Sequence, residues 1–345
     1  MKVFILGAGA SKGSQTSGIS SDLEAPLSDD LFEPKYRKYA DEIGIGFEEI
    51  ERFRNELKNS KKSLEDWLTT YWKTTEKHTS ARTKRANNYS LGKIHFYIWW
   101  MLQNISYKTF GPSNKYQQFV NKLRALSDQG EDFAVISFNY DTLLDMAFED
   151  ILGFDLSGSI DKYHSVGYIK PHGSVNWFLL TRGGDPQVMP EAITDVYHRY
   201  SIAAKTLYNG GNFFLKRSVI LPPKHENLRR IEFIYSPNLE HAYGYPLIFL
   251  PLTVKKYTIV DGFEEKIKTA VADVISRADE LVVIGYQAAD SIIKEFLGSV
   301  KERTTLTVVG NGHADLVQQR IMKIAPKLLA GNAYNSGFAE YINGM

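Results

Sequence analysis

Five short apolar runs along the chain predict buried β-strands. They lie at residues 2–6, 133–138, 219–221, 280–285 and 306–310. Within the runs at 2–6, 133–138, 280–285 and 306–310, apolar residues follow one another without alternation, which is typical of strands in a parallel sheet that helices cover on both faces. Between the later runs, apolar residues recur at the spacing of a helix. The pattern therefore predicts an α/β fold with an open parallel sheet.

Residues 35–130 carry a different pattern. Apolar side chains there recur at steps of three and four residues, as at Ile50, Phe53 and Leu57, which is the spacing of an amphipathic helix. We predict an all-helical insertion over this segment. The preceding segment, residues 12–34, is rich in Ser, Gly, Asp and Pro. We predict a long loop over the site there, with Ser28-Asp29-Asp30 capping a short helix that begins near Leu31.

The composition is that of a folded globular protein. Hydrophobic residues make up 43% of the 345 positions and charged residues 23%, which excludes a disordered chain. Two domains of ordinary size would fit this length. We interpret residues 1–345 as one domain with the helical insertion inside it.

Charge and cysteine content exclude several classes of function. The 41 basic and 40 acidic side chains leave a net charge of +1, so we expect no direct nucleic-acid binding. Lys61 and Lys62 lie in a polar stretch, and we interpret them as part of a solvated helix face. The chain has no cysteine, which excludes disulfides and thiolate zinc sites. The histidines show no paired metal spacing, so we assign no metal.

The sequence also argues against export and membrane insertion. Its densest apolar stretch, residues 96–105, is about half the length that crosses a bilayer. The chain opens on a predicted strand, without the pattern of a secretory signal. We therefore expect a cytoplasmic protein with no membrane contact.

The first predicted strand runs into a glycine turn, Gly7-Ala8-Gly9-Ala10-Ser11. Glycine lets a phosphate approach the backbone, and a following helix N-terminus favours an anion. The motif lacks the third glycine of the usual G-x-G-x-x-G pattern. A plain strand-to-helix turn therefore stays open as the alternative.

Three further predicted strands end in turns with polar or glycine residues. These turns hold Asn139-Tyr140-Asp141, Gly285-Tyr286 and Gly310-Asn311. The carboxyl ends of parallel strands meet at one edge of the sheet, where ligands of open α/β folds bind. Asp290 or Asn311 is suited to bind the hydroxyl groups of a ribose, and a helix cap is the alternative role for each.

His172 stands out among the eight histidines. It follows an apolar approach strand, and Gly173 leaves room beside the ring for another molecule. With an ordinary pKa of about 6.5, an imidazole in a nucleotide cleft can act as a general base at neutral pH. This favours a functional role over that of an ordinary surface histidine.

Taken in order, these segments resemble the sirtuin-like superfamily, and within it the bacterial SIR2-like domains associated with anti-phage defence. The resemblance rests on residues 7–11, residues 137–142 and Lys170-Pro171-His172-Gly173-Ser174. Residues 26–31, 221–223, 283–286 with Asp290, and 309–311 continue it in the same order. The chain departs from the sirtuin deacylases in lacking their four-cysteine zinc ribbon and in its long helical segment. Gln287 stands where the family usually has serine.

The resemblance implies a Rossmann-like fold and an NAD+ glycohydrolase that depletes NAD+ in anti-phage defence. Such an enzyme cleaves the bond between nicotinamide and ribose and gives nicotinamide and ADP-ribose. The resemblance implies that Asn139, Asp141 and His172 are catalytic. It places Gly7, Ala8, Gly9, Ser11, Gly285, Tyr286, Asp290, Gly310 and Asn311 in the NAD+ site.

Two alternatives to this function stay open. One is a non-catalytic module that binds NAD+ or ADP-ribose within a defence complex, and the other is a zinc-less NAD-dependent protein deacylase. A free NAD+ hydrolase would starve its own cell, so we expect a homo-oligomer or a partner defence protein to control it. Residues 12–34 and the helical segment are the candidates for a lid or an assembly surface.

Overall fold

The computed structural model describes residues 1–77, 80–182, 216–224, 235–236, 242–248, 263–288 and 291–345. The described strands, in chain order, are β1 (Lys2–Leu6), β2 (Phe133–Ser137), β3 (Tyr168–Ile169), β4 (Gly173–Arg182), β5 (Lys216–Ile220), β6 (Tyr235–Ser236), β7 (Ala242–Ile248), β8 (Glu280–Ile284), β9 (Thr305–Val309) and β10 (Leu329–Tyr334).

Six of these strands form a parallel sheet in the order β10-β9-β8-β1-β2-β3. Numbered among themselves by sequence, the six strands follow the order 3-2-1-4-5-6, which is that of the Rossmann fold. In β1, β2, β8 and β9 every residue after the first is buried. Successive side chains of a strand point to opposite faces, so both faces of the sheet are covered. The predicted α/β class and Rossmann-like parallel sheet are confirmed.

The remaining described strands form an antiparallel sheet in the order β5-β4-β7-β6. The predicted strand at residues 219–221 is confirmed by β5, which ends at Ile220 and belongs to this antiparallel sheet. This sheet also contacts the helical segment, because the indole Nε1 of Trp99 donates to the carbonyl of Val175 in β4 at 2.9 Å.

The described helices are α1 (Ala8–Ser14), α2 (Arg37–Glu42), α3 (Phe47–Ser60), α4 (Leu64–Lys77), α5 (Ala81–Thr109), α6 (Lys115–Asp128), α7 (Leu143–Leu152), α8 (Ile160–Ser165), α9 (Phe263–Arg277), α10 (Ser291–Leu297), α11 (Ala314–Ile324) and α12 (Gly337–Gly344). Helices α2 to α6 occupy most of the segment in which the helical insertion is predicted. The division into a domain and an insertion stays a prediction. Across the described residues, none of these helices is both long enough and apolar enough to span a membrane.

The predicted loop over residues 12–34 is wrong in part. Residues 12–14 belong to α1, and short 3-10 turns lie at Ser21–Leu23 and Ser28–Asp30. The helix expected to begin near Leu31 starts only at Arg37, as α2, after a third 3-10 turn at Pro34–Tyr36. Helix α1 tolerates its serines because Ser11 and Ser14 are buried and hydrogen bonded, and the Ser14 hydroxyl donates to the Ser11 carbonyl at 2.8 Å.

Candidate functional site

A cavity of about 550 Å³ lies at the carboxyl ends of β1, β2 and β8. Strand order reverses between β1 and β8, and open α/β sheets bind ligands at such a switch point. One part of the cavity wall comes from the ends of these strands and from the segment before β4. Its residues are Gly7, Ala8, Gly9, Phe138, Asn139, Tyr140, Asp141, His172, Gly285, Tyr286 and Gln287. Segments far apart in the sequence therefore meet at one place.

The other part of the cavity wall comes from residues 26–32 and the helical segment. Its residues are Pro26, Leu27, Ser28, Leu31, Phe32, Arg54, Leu57, Lys58, Lys61, Lys62, Ser63 and Leu102. Lys61 and Lys62 are exposed, but they follow Ser60, the last residue of α3, and they line the cavity, so their interpretation as part of a solvated helix face is wrong. Arg54 and Lys58 lie four residues apart within α3, and Lys61 and Lys62 come directly after its end. The signal in the sequence for this part of the wall is the grouping of four basic residues within positions 54–62.

The glycines at the ends of β1 and β8 allow these two turns to pack together. A Cβ atom on Gly7 would lie 2.7 Å from the Gly285 carbonyl oxygen, and one on Gly9 would lie 2.9 Å from the Gly285 Cα. The N–H of Gly7 donates to the Ile284 carbonyl at 3.0 Å, and the N–H of Gly9 donates to the Gly285 carbonyl at 2.9 Å. These two amides thus hold the turns together, a role different from the phosphate contact that the motif predicts.

Asn139 lies on the floor of the cavity and is 6% exposed. Its Nδ2 donates to the Gly7 carbonyl at 2.9 Å and to the Ser11 Oγ at 2.9 Å, and it lies 3.3 Å from the Tyr116 hydroxyl. A carbonyl oxygen only accepts hydrogen bonds, so the atom beside Gly7 is the amide nitrogen. Oδ1, on the opposite side of the amide, is then the atom that can accept a hydrogen bond from a bound molecule.

Asp141 is 9% exposed and is hydrogen bonded through both carboxylate oxygens. Oδ2 accepts from the Ser11 hydroxyl at 2.7 Å, and Oδ1 accepts from the Leu143 N–H at the start of α7 at 3.1 Å. Burial raises the pKa of Asp141, against the opposite effects of the Lys170 charge and these hydrogen bonds. Ser11 lies beneath the cavity, where it orients Asn139 and Asp141 instead of lining the wall.

His172 lines the cavity and is 3% exposed. Its ring meets Phe138 edge-on, with centroids 4.9 Å apart, and lies nearly parallel to Tyr140 at 5.8 Å. Gly173 has a φ of +83°, and a Cβ there would lie 2.0 Å from the Leu247 carbonyl oxygen. The expectation that Gly173 leaves room for another molecule is therefore wrong, because the backbone of β7 fills that space.

Lys170 joins the turn of Asp141 to the turn of His172. Its ammonium group is fully buried and donates to the Asp141 carbonyl at 2.6 Å, the Asp145 carboxylate at 2.9 Å and the Ser174 hydroxyl at 2.7 Å. All three N–H donors are thereby used. Lys170 balances the buried charge of Asp145, and the hydroxyls of two tyrosines on α8 and β3 donate hydrogen bonds to the same carboxylate.

The remaining predicted site residues divide into three groups. Tyr286 lines the cavity and stacks on Phe138, with ring centroids 4.6 Å apart. Gly310 and Asn311 follow β9 and lie outside the described wall of this cavity, where Asn311 pairs with Ser336 in a β-bridge. Asp290 lies outside the described residues.

Side chains of the types that bind metal ions do not form a cluster in the described ranges. No three His, Cys, Asp or Glu side chains in those ranges come together in a way that could hold a metal ion.

Comparison with family models gives no match for this chain, and comparison with curated proteins gives none either. Solved structures with a similar course of the chain include a Sir2 homologue carrying a histidine-to-asparagine change, in complex with ADP-ribose. It is 14% identical, with a TM-score of 0.43, over 99% of this chain and 89% of that one. Another is a complex of Sir2 with an inhibitor, 2′-O-acetyl-ADP-ribose and a deacetylated p53 peptide. It is 14% identical, with a TM-score of 0.42, over 100% of this chain and 91% of that one. The strand order of the chain itself defines its Rossmann-type fold.

Proposed function

We propose that this protein hydrolyses NAD+ to nicotinamide and ADP-ribose. The observation that supports the proposal is the meeting of His172, Asn139 and Asp141 with the glycine turns in one cavity at the switch point of a Rossmann-type sheet. A dinucleotide is the ligand class that such a switch point accommodates. The cavity also places an imidazole, an amide and a carboxyl group beside one another, which suits proton transfer and the binding of ribose hydroxyls.

The proposed reaction needs one nucleophile and one base. A water molecule attacks C1′ of the nicotinamide ribose while the bond from C1′ to the pyridinium nitrogen breaks, and nicotinamide leaves as a neutral molecule with the bonding electron pair. His172 accepts the proton that the water loses. Since the leaving group is already cationic, it needs no proton, and the transition state resembles an oxocarbenium ion.

Asn139 and Asp141 position the reactants in this proposal. Oδ1 of Asn139 accepts a hydrogen bond from a ribose hydroxyl or from the attacking water. Both Asp141 oxygens already accept one hydrogen bond, and each has a second lone pair with which to hold a ribose hydroxyl. The network through Ser11 keeps both groups in place before the substrate binds.

The experiment is to incubate the purified protein with NAD+ and to measure nicotinamide and ADP-ribose by chromatography. We expect His172→Ala to lower turnover by about 100-fold or more, since a general base contributes on that order. His313→Ala is the matched control. His313 is exposed, lies before α11 and makes no side-chain cap, so this variant should keep wild-type activity. Urea midpoints close to that of the wild type would show that both variants fold.

Other results would support other functions. Nicotinamide release that requires an acetyl-lysine peptide would show a deacylase. Binding of ADP-ribose without turnover would show a binding module. Equal turnover by wild type and His172→Ala would refute the role of His172.

The biological setting of this activity is part of the same proposal. We place the hydrolase in anti-phage defence, under the control of a homo-oligomer or a partner protein. Measuring turnover across the fractions of a size-exclusion run tests the oligomer. A monomer with full activity would contradict control by self-assembly.

A further inference from the structure

The basic residues of the cavity wall come from one stretch of the helical segment. Arg54 and Lys58 lie on α3, Lys61 follows its last residue, and Lys62 comes next. Asp141 is the single carboxylic acid among the described residues that line the cavity. The whole chain is almost neutral, with a net charge of +1, so the positive charge of this wall is a local feature.

Two of these four cationic side chains, Arg54 and Lys58, form ion pairs with the same carboxylate. Glu33 accepts from Arg54 at 2.7 Å and from Lys58 at 3.2 Å. Lys62 donates to the neutral hydroxyl of Thr70 at 2.7 Å, which uses one of its three N–H donors. One carboxylate therefore balances part of the wall, and the excess positive charge is centred on Lys61 and Lys62.

A dinucleotide brings two phosphate charges into this cavity. The glycine turn is the expected place for them, but the amides of Gly7 and Gly9 are engaged by the end of β8. The turn therefore has fewer donors for an anion than its sequence indicates. Ammonium groups with spare donors on the other part of the wall can supply both the charge and the hydrogen bonds.

We propose that Lys61 and Lys62 bind the diphosphate group of the dinucleotide, so that the helical segment forms part of the substrate site. This inference rests on the proposed NAD+ hydrolysis. It also defines a substrate class: ligands with a diphosphate bridge bind, and nucleosides that lack phosphate bind weakly. Affinity should fall with added salt, because exposed charges are screened.

The test compares Lys61→Ala/Lys62→Ala with the wild type in two measurements. The first is NAD+ turnover, where we expect KM to rise by about tenfold for two lost charge-assisted contacts, with kcat little changed. The second is titration with ADP-ribose and with adenosine by calorimetry. The variant should lose about tenfold in affinity for ADP-ribose and no affinity for adenosine. Lys61→Arg/Lys62→Arg should retain most of the wild-type values.

The matched control is Lys323→Ala/Lys327→Ala, which removes two exposed lysines from outside the cavity wall. If the wild type hydrolyses NAD+ and both alanine pairs leave KM unchanged, the lysine inference is wrong and the proposed function stands. If the wild type does not hydrolyse NAD+ but binds ADP-ribose through these lysines, the proposed function fails and the phosphate site stands. If ADP-ribose binds equally to wild type and variant, or binds to neither, the phosphate site is refuted.

Discussion

Gly285→Ala tests the contact between the ends of β1 and β8. Gly285 has a φ of +59°, and a Cβ there would lie 2.2 Å from the Ala10 nitrogen and 2.4 Å from the Gly9 carbonyl carbon. These neighbours are backbone atoms, so no side-chain rotation relieves the overlap. The turns must move apart, which strains the hydrogen bond from the Gly9 N–H to the Gly285 carbonyl.

Two effects add to the expected cost. Alanine in the left-handed region costs about 1–2 kcal/mol. Overpacking against a buried neighbour costs about 1–3 kcal/mol more. We therefore expect Gly285→Ala to lower the free energy of unfolding by about 2–5 kcal/mol.

The matched control is Gly153→Ala, after the end of α7. Gly153 has a φ of +70°, and no atom lies within 4 Å of its added Cβ. This variant should lose about 1–2 kcal/mol from the backbone conformation alone. Urea denaturation measures both changes. At an m-value of about 3 kcal/mol per M, the Gly285 variant should shift the midpoint by about 1 M and the Gly153 variant by about half that or less. Equal shifts would refute the steric argument.

Two further predictions concern charged residues that do not line the cavity. Lys170→Met should lower the free energy of unfolding by about 3–5 kcal/mol, because Asp145 is left buried without its cation; a loss below about 1 kcal/mol in urea denaturation would contradict this. Glu149 is half-buried, and burial raises its pKa to about 7 from an ordinary 4.5. Because the pKa is raised in the folded state, the protonated Glu149 carboxyl contributes stability that is fully present below pH 4.5. This contribution is lost as the pH rises through about 7. Glu149→Gln keeps the oxygen that accepts from the Leu156 N–H and removes the titration. The difference between the urea midpoints of the variant and the wild type should therefore increase in favour of the variant from about pH 5 to about pH 8. Parallel pH profiles of the two midpoints would exclude Glu149 as a source of the pH dependence of stability.

The parallel sheet was predictable because its strands are buried on both faces. β1, β2, β8 and β9 are apolar along most of their length, and a continuous apolar run is what such burial requires. β10 was missed for the opposite reason. It lies at the edge of the sheet and is mostly exposed, so no apolar run marks it. The antiparallel sheet was missed because its pairing depends on contacts between distant strands, which composition does not show.

The candidate site was predictable as a set of segments and less so in its contacts. Polar residues at strand ends indicated Asn139, Asp141 and His172, and all three line one cavity. The sequence could not show that the amides of Gly7 and Gly9 are used by the end of β8, because that depends on the register between two strands whose paired residues lie 278 positions apart along the chain. Nor could it show that the polar stretch around Lys61 lines the same cavity as the strand ends.

The hydrogen bonds of the floor connect the helical segment to the proposed chemistry. The Ser11 hydroxyl donates its proton to Asp141. The hydroxyl of Tyr116 on α6 therefore donates to the Ser11 Oγ, which also accepts a hydrogen bond from the Asn139 Nδ2. A shift of α6 would therefore change the direction of the Asn139 amide and alter the rate of the bond-breaking step. A shift of α3 would instead move the lysines and alter substrate affinity. A partner or a second copy that binds the helical segment could thus control the enzyme through either route, and separate measurements of kcat and KM would show which helix it moves.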